Sequence, residues 1–411
     1  MTLVARRRQK IALTTYAMNV GGMEVFIRAL AKGLVGSGNE VWVIATDEQG
    51  SWFSSSTEGG VKTRFLAGLQ SSSKASHARR VARFLRLEGF GVVINNNSWP
   101  VQASLGLLPD ETAVISVIHN TSAPVLATSC ANRQACNAFV APSRAVFEGA
   151  RALLLSDAKL HLIRHGVPVA DCLPGHASAG EGLRVVYSGR LDHTQKGVLL
   201  LPGIAKRVAE AGLRMQFNIV GDGPDRDRLS EFVRQARVEQ IVTMCGGLDH
   251  ESSLNFMNQS DVLLMPSFYE GLPFALLEGM ASGCVPVVSR LPGITDDLID
   301  DEQNGFLVSP GDIVGFSECL IRLGRDAALL QRMRMKAWSS ARDHWNSQTM
   351  INKYIELIDA LGGTRLKRRD LPELTPDLVK IKDRLPCRIR SALGLGRRTL
   401  GRLFPRRDGS E

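Results

Sequence analysis

At 411 residues, with 44% apolar and 22% charged side chains, the chain has an ordinary globular composition and enough length for two domains with separate cores. Its formal charge of +9 is unevenly placed: residues 364–411 hold fourteen Lys or Arg against six Asp or Glu, so the remainder is nearly neutral and no nucleic-acid groove is expected through the fold. The sequence contains no run of about 18 apolar residues, so it is expected not to span a membrane.

At the N-terminus, Arg6, Arg7, Arg8 and Lys10 precede IALTTYAMNVGG, which is too polar for a signal-peptide core and reads as a first strand over 10–16. The Gly21-Gly22 loop then leads into a helix over 23–35. Strands follow at 40–46 and 61–66, a helix at 77–87, and strands at 91–95, 112–119, 138–141 and 160–164, with Pro142-Ser143 opening another helix. This alternation predicts a parallel sheet covered by helices. Prolines, glycines and small residues over 168–182 mark a linker. Alternation restarts with strands at 183–188, 215–220, 241–245, 261–266, 285–289 and 305–308, followed by a long helical pattern over 312–360 broken near Asn346. The expected domains are 1–170 and 183–345, joined by a linker at 171–182, with a C-terminal crossover helix at 346–363 and a basic tail at 364–411. The seven cysteines (Cys130, Cys136, Cys172, Cys245, Cys284, Cys319 and Cys387) are scattered and form no CxxC pair, which favours a reducing compartment over a disulfide framework or a zinc site.

The strongest functional signal is DVLLMPSFYEGLPFALLEGMASGCVPVVSR at 261–290, a strand-loop-helix unit with Glu270 and Glu278 eight positions apart. At the helix start the N–H groups of Leu272, Phe274 and Ala275 lack helical partners, and the positive end of the helix dipole stands behind them, a combination that attracts anions. The two carboxylates would lie about 10 Å apart along a common ligand and suit hydroxyl donors such as a sugar. That separation is too wide for the paired carboxyls of a retaining glycoside hydrolase, which sit about 5 Å apart. Glu270 could instead simply satisfy the helix dipole, and Glu278 could be solvated, but its neighbours Leu276, Leu277, Met280 and Ala281 argue against a solvated face.

This segment resembles the E-x7-E region of retaining, nucleotide-sugar-dependent glycosyltransferases of family 4, and separated motifs in the same order extend the likeness over most of residues 10–360. The resemblance implies an α/β GT-B fold, two Rossmann-like domains whose parallel sheets face each other across a deep cleft. Arg190 and Lys196, in YSGRL followed by KG, lie beyond the carboxyl end of the second domain's first strand, where open parallel sheets bind ligands. A guanidinium can hold phosphate oxygens in a fork, and an ammonium can neutralise a departing diphosphate. The family motif assigns Arg190 and Lys196 to that role, although the interval here is one residue longer than its usual spacing. Gly21-Gly22-Met23-Glu24 is similar to the family's GGxE loop near the diphosphate and acceptor, and it lacks the GxGxxG spacing of a dinucleotide fold. His119, ending the run VISVIH, resembles the cleft histidine that positions the donor sugar; the following Asn120 departs from the acidic residue common there. Glycine turns at Gly221 and at Gly246-Gly247-Leu248 match loops that approach the nucleotide.

The resemblance thus implies a glycosyltransferase that moves a sugar from a nucleotide diphosphate sugar to an acceptor hydroxyl with retention, in the synthesis of a cell-envelope polysaccharide, lipopolysaccharide or glycolipid. Arg190, Lys196, Glu270 and His119 would serve the reaction. Glu278, Gly271, Leu272, Pro273, Phe274, Ala275, Gly21, Gly22, Gly221, Gly246 and Leu248 would hold the donor. No cofactor or metal is expected, because no acidic DxD-type cluster demands one, and the enzyme would be cytoplasmic, with a carbohydrate or lipid-linked acceptor. The rivals are a catalytically silent nucleotide-sugar-binding subunit and a GT-B sugar-nucleotide epimerase. Over 388–404, Ile389, Leu393, Leu400, Leu403 and Phe404 alternate with five arginines at nearly helical spacing. This stretch reads either as an amphipathic contact with an anionic membrane face or as a solvated basic extension.

Overall fold

The computed structural model describes residues 8–18, 21–50, 53, 59–68, 73–154, 158–174 and 182–375. Most of the linker, 175–181, and the basic stretch 388–404 lie outside the described residues. The first half carries strands β1 (Lys10–Thr15), β2 (Glu40–Ala45), β3 (Lys62–Phe65), β4 (Val92–Asn96), β5 (Ala113–Val117), β6 (Ala138–Ala141) and β7 (Leu160–Leu162). Between them run helices α1 (Gly22–Gly36), α2 (Lys74–Glu88), α3 (Trp99–Ala103), α4 (Ala123–Cys130) and α5 (Arg144–Leu154). The second half holds β8 (Leu183–Ser188), β9 (Met215–Val220), β10 (Val242–Gly246), β11 (Val262–Met265), β12 (Val285–Ser289) and β13 (Phe306–Val308). Its helices are α6 (His193–Lys196), α7 (Leu201–Glu210), α8 (Arg226–Ala236), α9 (His250–Asn258), α10 (Phe274–Ala281), α11 (Ile313–Arg325) and α12 (Ala327–His344), and α13 (Ser347–Leu361) follows.

The strand orders are β3-β2-β1-β4-β5-β6-β7 and β10-β9-β8-β11-β12-β13, with parallel pairing throughout. Central strands such as β4, β5 and β12 are buried at every position, as expected for sheets covered on both faces. In each sheet the order reverses beside the first strand, between β1 and β4 and between β8 and β11. Connections diverge there, and a crevice opens at the carboxyl ends of the strands.

The chain returns to the first half through α13. Asn346 accepts the Gln348 N–H at 2.8 Å to start this helix, while Val167 donates to the Trp345 carbonyl and accepts from the Ser347 N–H. Met350, Ile351, Ile355, Leu357 and Ile358 are buried with Tyr354 in a core shared with α1 and α10, each of these five aliphatic side chains contributing roughly 1.5–3 kcal/mol. Asn346 is where the sequence placed the break; a second break occurs at Asp326, whose carboxylate accepts the Leu329 N–H and caps α12.

Residues 364–375 differ from the loose tail expected of them. Arg368 is fully buried, and its guanidinium donates to the carbonyls of Pro109 and Ala135 and to Asn137. Leu374 packs on Ala75, Ala78 and Ala103, and Thr375 N–H bonds the Ala103 carbonyl. This strap clamps the first domain before the chain reaches its basic end. Among the described residues no helix is long and apolar enough to cross a membrane.

Candidate functional site

The crevice between the two sheets is a cavity of about 850 Å³. From the first domain Gly21, Gly22, His119, Asn120 and His165 line it; from the second come Arg190, Lys196, Gly221, Leu248, Glu270, Glu278 and the whole of 271–275. Its floor is tight. A Cβ on Gly271 would stand 2.6 Å from the His119 carbonyl oxygen and 2.8 Å from the Asn120 Cβ, so only glycine lets the loops of the two halves meet. The first residues of α1 and α10 meet similarly, with Phe274 against Gly22. Neither helix has a side-chain N-cap, and both helices begin at the one cavity, with the buried Glu24 carboxylate of the first turn of α1 lying back toward Gly21.

Glu270 is 6% exposed and pairs with Lys196, whose Nζ lies 2.7 Å and 2.9 Å from its two carboxylate oxygens. The Ser267 hydroxyl donates to Oε1 at 2.8 Å. The extra residue before Lys196 is taken up in a helical turn. Asp192 caps α6 through the Thr194 N–H at 3.0 Å, and Gly197 ends it in the left-handed region at φ 65°, where any Cβ would strike the Pro266 carbonyl oxygen. That sharp stop turns Lys196 toward Glu270. Arg190, by contrast, is exposed, and its side chain has no hydrogen bond or ion pair to another described residue. Burial and the nearby Glu270 push the Tyr187 hydroxyl well above its usual pKa, so it stays protonated and donates to the Arg190 carbonyl at 2.9 Å. Glu278, 9% exposed, accepts from His250 Nε2 at 2.7 Å.

Comparisons with known proteins find two glycosyltransferase families and the same fold. The family described as Glycosyl transferases group 1 matches residues 182–326, and the one described as Glycosyltransferase Family 4 matches residues 20–171. The colanic acid biosynthesis glycosyltransferase WcaL of Escherichia coli is 27% identical over 49% of this chain and 52% of its own length. The amylovoran biosynthesis glycosyltransferase AmsK of Erwinia amylovora is 24% identical over 50% of this chain and 51% of its own. These matches span about half the length of those relatives. The crystal structure of Anabaena Alr3699/HepE in complex with UDP and glucose superposes on 86% of this chain and 100% of that one, with a TM-score of 0.71 at 15% identity. Each half of the chain matches a glycosyltransferase family, and the fold is GT-B.

Two placements in this GT-B cleft depart from the sequence reading. Gly246 does not line the cavity; its carbonyl accepts the Gly221 N–H at 2.8 Å and fixes the loop, and Gly247 takes the lining position. His119 lies two residues past the end of β5, in the loop that touches Gly271. The Asn96 amide donates to the Ile94 carbonyl, so its oxygen faces His119 Nε2 at 3.0 Å; that nitrogen must be the donor, leaving Nδ1 as an acceptor. His165, His250, Ser267 and Tyr187 also belong to the site and were not singled out from sequence. Among the described residues no group of three or more His, Cys, Asp or Glu side chains could hold a metal ion.

Burial lowers the His119 pKa to about 3 and holds that of His165 well below the ordinary 6.5. Between those values the unfolded chain binds protons that the folded chain refuses, so stability is complete above pH 6.5 and falls as pH drops toward 3. Thermal melts should show a flat Tm from pH 8 to 7 and a decline between pH 6.5 and 5, above the range of ordinary carboxylates. His119→Asn should flatten that decline; an unchanged slope would contradict the account.

Proposed function

We propose that this protein transfers a sugar from a nucleotide diphosphate sugar to an acceptor hydroxyl with retention of anomeric configuration, in building a cell-envelope polysaccharide, lipopolysaccharide or glycolipid. One observation carries the reading: two helix N-termini, a basic pair and two buried carboxylates converge on one cavity. The amides and Arg190 would grip the diphosphate, and Lys196 would exchange part of its bond to Glu270 for the negative charge that grows on the leaving phosphate. Glu278, fixed by His250, would accept ribose hydroxyls. Glu270 would accept from the transferred sugar through lone pairs that Lys196 and Ser267 leave open. With carboxylates placed to bind, not attack, departure and entry would occur on one face of the sugar, the leaving phosphate taking the acceptor proton. The cationic pair supplies the charge stabilisation that a metal would otherwise give, and EDTA should leave turnover unchanged. The polysaccharide context is supported by the names of WcaL and AmsK, and the donor class by the UDP and glucose bound to HepE.

A thermal-shift panel of UDP-, GDP- and other nucleotide sugars tests the reading, since a ligand at a hundred times its Kd adds about 2.7 kcal/mol to stability. At least one should raise Tm by several degrees, and the anomeric proton of the product should match that of the donor. A flat panel would remove the proposal, and donor consumption without transfer would favour the epimerase. Glu278→Ala should raise the donor Kd about 10–100-fold while kcat at saturation stays within a few-fold, the loss expected when charge-assisted hydrogen bonds leave a bound state.

Peripheral attachment to the inner face of the cytoplasmic membrane through 388–404 is part of the same proposal. Because the strap through Thr375 is packed on the first domain, the comparison must be between the full chain and one ending at Thr375. The full chain should sediment with phosphatidylglycerol vesicles at low salt and the truncated one should remain in the supernatant; equal sedimentation would discard the idea.

A further inference from the structure

His165 lies on the cavity floor and is 2% exposed, yet among the described residues neither of its ring nitrogens has a hydrogen-bond partner. Its ring is wedged among aromatic groups from both halves of the molecule. Phe26 of α1 lies 4.2 Å away between centroids, Phe274 of α10 lies 5.3 Å away, and His119 stacks at 5.5 Å with an interplanar angle of 28°. Phe26 is itself backed by Tyr354 of α13 at 5.7 Å. Packing of this kind would be served as well by phenylalanine, which fills the same space and carries no polar atom. A buried imidazole with two unmatched nitrogens costs free energy in the empty protein, because buried polar groups are nearly always bonded. The cost is offset where a ligand completes the bonds.

The chemistry of that ligand follows from the ring. A neutral imidazole offers one donor and one acceptor, and its surroundings disfavour the cation. A phosphate oxygen only accepts, so it can meet the N–H and never the bare nitrogen. A hydroxyl both donates and accepts, and it matches either nitrogen. Phe274, which begins the donor-side helix, and His119 both border the ring, so the hydroxyl is one presented in the centre of the cleft.

We propose that His165 is a specificity-determining residue of the donor site, pairing with one hydroxyl of the sugar carried by the nucleotide. The assignment rests on the nucleotide-sugar reading given above. Site groups that expect a hydroxyl reject analogues lacking it, whereas an apolar pocket discriminates poorly. The test is calorimetric titration of wild type and His165→Phe with UDP-glucose, UDP-N-acetylglucosamine and GDP-mannose, followed by the monodeoxy analogues of each donor that binds. Wild type should bind one deoxy analogue about tenfold or more weakly than its parent. In His165→Phe that single ratio should fall to within about threefold, the other ratios should be unchanged, and Tm should be equal or higher. His165→Gln, which keeps a donor and an acceptor, should recover part of the ratio.

A His165→Phe protein with a raised Tm and every ratio intact would assign the ring to packing alone and overturn the proposal. So would a wild type with no sensitivity to any single hydroxyl. If wild type binds none of the three donors while free UDP and GDP also fail to shift its Tm, the underlying functional reading falls first and takes this assignment with it.

Discussion

Lys196→Ala is expected to lower kcat about 10²–10³-fold and also to destabilise the protein, because one ammonium serves two charges. Removing a preorganised group that meets charge developing on a leaving oxygen typically costs that much in rate. The stability loss has a separate origin. Without Lys196, the Glu270 carboxylate, 6% exposed in the intact protein, keeps among the described residues only the Ser267 hydroxyl as a side-chain partner. Breaking a buried pair from one side costs about 3–5 kcal/mol, and the lower end applies because the Lys196 side chain is 20% exposed and water can follow it out. A second substitution separates the two effects: Lys196→Ala with Glu270→Gln removes the stranded charge, so most of the lost Tm should return while kcat stays low. Denaturant melts and single-turnover kinetics on the three proteins make the comparison. A single variant with kcat within tenfold of wild type would mean that the ammonium serves only to neutralise Glu270.

How far such a site is legible in sequence depends on whether its signal is local. The bounds 183–188, 215–220 and 285–289 coincide with β8, β9 and β12: β12 is a short run buried at every position, and β8 and β9 set buried apolar residues beside partly exposed polar ones, patterns with sharp ends. Glu270 and Glu278 could be read because a carboxylate among Leu276, Leu277 and Met280 conflicts with its surroundings within a few residues. His250 gives no such conflict. It opens a helix in a polar stretch, and its role arises only when α9 brings it to Glu278, 28 positions away. His165 is equally silent, since its neighbours Phe26, His119 and Phe274 come from three distant segments. Helices α3 and α4 escaped because five and eight residues cannot establish a helical period, and each has at its second position a proline that reads as a turn. The strap was hidden differently: Arg368 adds to the basic composition of the C-terminal region like any solvated arginine, and only tertiary packing makes it the largest fully buried side chain among the described residues. Composition can locate a charge surplus along the chain without saying which of its members lie inside.

Arg190→Ala provides the contrast to Lys196, with a comparable loss of kcat, about 10²–10³-fold, and almost no loss of stability. The guanidinium is exposed in the cleft and unbonded to other described side chains, so deleting it leaves no buried charge behind. Surface substitutions of this kind usually lie within about 0.5 kcal/mol of wild type. Its backbone is held independently: the Tyr187 hydroxyl grips the Arg190 carbonyl, and the Gly189 N–H bonds the Val220 carbonyl at 3.0 Å, so the loop keeps its course when the side chain is shortened. Arg190→Lys should recover only part of the rate, since an ammonium cannot hold two phosphate oxygens in one plane. Donor affinity should change much less than kcat if the guanidinium meets charge mainly as the diphosphate departs, whereas Kd should rise with kcat at saturation nearly unchanged if it only anchors the bound nucleotide. Titration of the donor beside pre-steady-state turnover distinguishes these cases, and a stable variant that turns over normally would remove Arg190 from the reaction.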